Sequence, residues 1–217
     1  MLAELQQQLS DIYQVGRPYD VRDYVITDPT LAKYLGQDAV LTNSDETLLV
    51  SQDDDGLAVS LFLDRDMLER VESTNPLDCL HARSLDDLWK VLEGISHFNC
   101  VVWKAAQDRT VSLLELELQG EIDKFVSTML LAMQQANTDL LNCMHSWLFD
   151  NVRFHDGLDD EQLRRYRSAN DYAARYCHRL RRQLIDDDSH VMSELRHFYR
   201  LQLPDKISHI HTLAWAC

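Results

Sequence analysis

The chain has 217 residues, of which 45% are apolar and 26% charged, with a formal net charge of −15. These proportions belong to a folded globular protein and exclude a disordered one. The acidic balance argues against a general affinity for DNA or for an anionic membrane.

In chain order, the segment MLAELQQQLSDIY lacks the basic leader and continuous apolar stretch of a signal peptide. Leu2, Leu5, Leu9 and Ile12 share one face, which predicts a helix to about Gln14, ended by Gly16 and Pro18. VRDYVITDP reads as a short strand stopped at Asp28-Pro29, followed by a helical turn around Leu31 to Leu35. ETLLVSQDDDGLAVSLFLD is the clearest β signal, two apolar runs flanking the turn Asp53-Asp54-Asp55-Gly56. A helix near Met67 to Glu72 closes this region, and STNPLDCLHARS is a connector.

From Leu85 the pattern becomes helical. One helix is expected from Leu85 to Gln107 behind a Ser84 cap, and a second from a capping box of Ser112 with Glu115. Continued to Phe149, the second would exceed roughly 50 Å, so a break is expected near Asn137-Thr138. Asp159 with Gln162 announces a third, from about Glu161 to Leu184, and two shorter helices near Val191 to Leu201 and Asp205 to Trp215 complete the chain. The expected class is α+β: residues 1–80 form a small region with an antiparallel sheet and helices, packed on a mainly antiparallel helical bundle of residues 81–217. One continuous domain is an alternative.

Several chemistries lack their signatures. The six glycines are isolated, so neither GxGxxG nor GxxxxGK[ST] is present, and GxSxG and HExxH are absent too. The acidic hairpin tip fails as a calcium loop, because its first and twelfth positions would be Ser51 and Phe62. No apolar run approaches the roughly 20 residues that span a bilayer. Five cysteines without a CxxC pair read as reduced thiols of a cytoplasmic protein, with Cys100, Cys143 and Cys177 as small buried hydrophobes.

The stretch SLLELELQGEIDK crowds acids onto one helix. Glu115 falls on the edge of the apolar face, and its position three residues after Ser112 assigns it to the helix cap, whereas projection puts Asp123 on a solvated face. Glu117 and Glu121, one turn apart, repel each other and call for a cation. That cation is an arginine of the third helix or a divalent metal, for which Glu93 and His97 at i and i+4 offer further ligands. Glu93 and His97 project with Asp86, Lys90 and Lys104 on a face that reads as solvated, which counts against the metal. Ser96 and Asn99 fall inside the apolar arc of the same helix and call for hydrogen-bond partners.

RRYRSANDYAARYCHRLRR carries the opposite charge. Arg164, Arg167, Arg175, His178 and Arg182 share one arc, interrupted by Asp171, and Tyr166, Ala169, Ala173, Tyr176, Cys177, Leu180 and Leu184 share the other. Residues 1–160 hold 11 Lys+Arg against 29 Asp+Glu, whereas residues 161–217 hold 10 against 7. An acidic body and a basic helix can meet within one chain or across a dimer.

Three functions follow, in this order. The first is a non-catalytic cytoplasmic protein that acts through protein–protein contacts, as a homodimer. The second is a helical-bundle enzyme or sensor with a divalent metal at Glu117 and Glu121. The third is an anion or RNA binder that uses the arginine arc. The first reading needs no cofactor and leaves catalysis without an assigned residue.

Overall fold

The computed structural model describes residues 1–36, 44–53, 56–152, 154, 157–186 and 189–214. The chain forms two compact units, Met1–Ser10 with Val15–Thr110, and Asp11–Gln14 with Val111–Cys217. The helix following Leu85, which the sequence assigns to the bundle region, belongs to the first unit together with the sheet.

In the first unit, α1 (Leu2–Tyr13) contributes the buried Leu5 and Leu9, and β1 (Val25–Ile26), α2 (Pro29–Gly36), β2 (Glu46–Asp53), β3 (Gly56–Leu63), α3 (Arg65–Thr74) and α4 (Leu85–Ala105) follow. The expected hairpin is β2 with β3, antiparallel from Glu46 opposite Leu63 to Asp53 opposite Gly56. Gly56 takes φ +138°, and its amide donates to Asp53 Oδ1 at 3.1 Å, which closes the hairpin on a residue free of a Cβ penalty. Asp54 and Asp55, the middle of the expected turn, lie outside the described residues.

The sheet is mixed, not purely antiparallel. β1 pairs with β3 in parallel, Val25 beside Leu61 and Ile26 beside Phe62, giving the order β1-β3-β2. Residues Leu61, Phe62 and Leu63 are buried, while the turn end of the hairpin is exposed. α4 packs against both β2 and β3. Its expected cap differs: a 3-10 turn, Ala82–Ser84, leads into the helix, and Ser84 Oγ donates backward to the His81 carbonyl at 3.0 Å. Asn99 finds its partner in Gln6, whose Nε2 donates to Asn99 Oδ1 at 3.0 Å while its Oε1 accepts from the Val21 amide at 3.0 Å.

The second unit is helical: α5 (Leu113–Gln134), α6 (Thr138–Phe149), α7 (Asp160–Ile185), α8 (Val191–Arg200) and α9 (Leu203–Ala214). The break falls at Asn137, whose side chain caps α6 by accepting from the Leu140 amide at 3.2 Å. α7 opens with the full capping box of Asp159 and Gln162. α5 packs on α6 and α7, and α7 also meets α8 and α9. Unlike a surface helix, α5 buries polar and apolar residues around its whole circumference. Tyr13, from the last turn of α1, belongs to this unit and stacks on Tyr199 with ring centroids 4.2 Å apart. No helix among the described residues is long and apolar enough to cross a membrane.

Candidate functional site

Three constellations carry the chemistry of the described residues. In the first unit, Asp45 immediately precedes β2 and Glu46 opens it, alongside α4. Lys90 of α4 joins Asp45 at 2.8 Å and Asp86 at 2.7 Å. One turn further along α4, Glu93 and His97 converge with Glu46, and one donor atom of each lies within 4.8 Å of the others. His97 Nδ1 stands 3.9 Å from Glu46 Oε1, with the two side chains 10% and 12% exposed. The solvated face expected for His97 is therefore covered, because β2 lies along it. Gly94 permits the approach: a Cβ there would meet Leu61 Cδ1 at 2.8 Å and Glu46 Cγ at 3.0 Å.

Glu117 and Glu121 belong to the second unit and take protein cations there. Arg165 Nε lies 3.7 Å from Glu117, and Lys124 Nζ lies 2.9 Å from Glu121. Arg165 sits on the flank of α7 away from the exposed arc, so the sequence arc does not include the arginine that meets these acids.

The acids on either side of that pair are buried. Glu115 keeps half of the capping box, its amide donating to Ser112 Oγ at 3.2 Å. Its carboxylate faces Lys206 Nζ at 3.3 Å, both side chains at most 2% exposed. Lys206 also donates to Gln119 Oε1 at 3.1 Å and lies over the rings of Phe198 and Tyr199. Asp123, expected in solvent, is 2% exposed. It accepts from the Tyr13 hydroxyl and from Gln119 Nε2, the latter at 2.8 Å. Projection assigns a face by neighbours on one helix, and α5 has partners all round.

Burial, reinforced by the Asp123 carboxylate, pushes the Tyr13 phenol well above the ordinary tyrosine range, and burial next to Glu194 does the same to Tyr176. A folded pKa raised above the unfolded one gives stability that is complete below the unfolded value of about 10 and is lost as pH rises toward the folded value. Ultraviolet titration of the native protein should therefore show Tyr13 and Tyr176 ionising only when the fold opens. Their ionisation with the free-tyrosine wave, in Tyr13→Phe and Tyr176→Phe difference spectra, would contradict the burial.

The third constellation is the arc of α7. Arg164, Arg167, Arg175, His178 and Arg182 are all exposed, and among the described residues none of them makes an ion pair. Asp171 forms no salt bridge with Arg167 or Arg175 there. Arg167 lies over the Phe154 ring at 6.0 Å, and His178 meets the edge of His145 at 5.4 Å. His209 and His211 lie on helical α9 and part company: His209 binds Glu194 at 2.7 Å, whereas His211 meets Tyr172.

No family model, no curated protein and no solved structure matches the chain. Two site residues escaped the sequence pattern. Arg165 precedes Ala169 by one turn, so its place on the core flank was legible. Glu46 had no local signal, since its role depends on which helix covers β2.

Proposed function

We propose that the protein is a non-catalytic cytoplasmic binding protein that uses the exposed arginine arc of α7 to hold an acidic protein surface, with a second copy of this chain as the partner. The observation that carries the reading is the exposure of Arg164, Arg167, Arg175, His178 and Arg182 without an ion pair among the described residues. Exposed guanidinium groups are weakly hydrated and make bidentate contacts with carboxylates, which suits recognition. The chain itself carries the complementary charge: the first unit holds 9 Lys+Arg against 19 Asp+Glu. A two-fold dimer makes the same contact twice. The isolated thiols, with Cys100 and Cys177 buried, fit a reducing compartment.

Charge reversal tests the reading. Arg175→Glu with Arg182→Glu lies on an exposed face and should change stability by no more than about 0.5 kcal/mol. Sedimentation should show a wild-type dimer that weakens between about 50 and 500 mM salt, as screened contacts do, and a monomeric double variant. A wild-type monomer at low salt overturns the proposal. RNA binding by the wild type, lost in the variant and steeply salt-dependent, would replace it with recognition of phosphate.

A further inference from the structure

We infer that Glu46, Glu93 and His97 form a binding site for one divalent first-row transition ion, of the zinc or manganese class, within the first unit. The three donors come from two elements that the fold holds together. Glu93 and His97 are one turn apart on α4, and Glu46 is the first residue of β2, placed by its pairing opposite Leu63 of β3. One donor atom from each side chain already lies within 4.8 Å of the others. Metal–ligand bonds of about 2.0–2.2 Å hold any two donors within about 4.4 Å of each other, so binding needs at most a small inward shift of these side chains.

The donor chemistry selects the ion. Two carboxylates offer hard oxygens and the imidazole a borderline nitrogen, a set that suits zinc, manganese or ferrous iron better than calcium or magnesium. Three protein ligands leave coordination positions for water or a bound molecule, as an open site does.

Two further features point the same way. Glu46 and Glu93 each bring a carboxylate oxygen close to the His97 ring nitrogen, with the Glu46 side chain only 12% exposed, and a divalent cation is the charge that such a donor set is suited to hold. Gly94 lies between the two helical ligands, and a Cβ at that position would come within 3.1 Å of Glu46 Oε1. The helix is thus bare where the third ligand rests against it.

The test uses tag-free full-length protein, stripped with chelator and then equilibrated with manganese chloride or zinc chloride. Bound metal is measured by elemental analysis and affinity by calorimetry, and melting temperature is followed with and without the ion. The expected result is one bound equivalent that raises the melting temperature, with affinity reduced at least about tenfold in each of Glu46→Gln, Glu93→Gln and His97→Gln. Three variants are used so that failure of one to fold leaves two readable. A wild type that takes up no metal overturns the inference. So does uptake that survives in all the folded variants, which would put the ion on other side chains.

Discussion

Lys206→Met is expected to lower the stability of the second unit by about 3–5 kcal/mol, the usual penalty for removing one partner of a buried ion pair. The size follows from what is left behind. Glu115 is 2% exposed and would lose a cation 3.3 Å away, and Gln119 would lose the donor to its Oε1. Methionine keeps most of the lysine volume beside Phe198 and Tyr199, so lost packing contributes little. Urea unfolding, with hydrogen exchange in α5 as a local monitor, measures the loss. Adding Glu115→Leu should recover most of it, since an apolar pair of similar volume replaces a buried ion pair at little net cost. A single-variant loss under about 1 kcal/mol would show that other groups serve Glu115 well enough to make Lys206 dispensable.

Gly94→Val should destabilise the first unit by about 2–3 kcal/mol, the upper part of the range for overpacking a filled core. Glycine inside a helix is itself unfavourable, by about 1 kcal/mol relative to alanine, so some compensating feature must keep it at this position. That feature is the close approach of β3 and the Glu46 side chain, which a Cβ would meet at 2.8 and 3.0 Å. Leu61 is fully buried and has little room to yield. Gly94→Ala sets the two effects against each other: the helical gain of about 1 kcal/mol offsets a contact of similar size, and the net change should stay within about 1 kcal/mol. Thermal melts of both variants decide the matter, and an unchanged melting temperature for the valine variant would rule out the tight approach.

Local signals served well wherever one element decided the outcome. The hairpin, the capping box of α7 and the break at Asn137 each depend on residues a few positions apart, and each was legible. The charged side chains of α5 were not. Asp123 read as solvated because its neighbours one turn away on the helix, Gln119 and Ser127, are polar, yet Tyr13 reaches it from a segment more than a hundred positions earlier. Glu115 read as a cap, and its backbone is one, but its carboxylate belongs to Lys206. His97 was misread for the same reason in the other unit, where β2 covers a stripe that looked like an outer face. Periodicity reports the angle of a side chain about its own axis. It carries no information about a strand or helix arriving from elsewhere.

The four residues Asp11–Gln14 have a consequence for any attempt to divide the molecule. They precede almost the whole first unit in the chain but belong with the second. A fragment cut at Thr110 would keep all five helices from α5 to α9, yet it would leave behind the Tyr13 ring that stacks on Tyr199 and the phenol that serves Asp123. It would also leave behind the carbonyls of Ile12 and Gln14, which accept from Arg196 and Arg200. No single scission yields two self-sufficient halves. The second unit needs a short segment that lies ahead of nearly all of the first, so the two are interleaved along the chain.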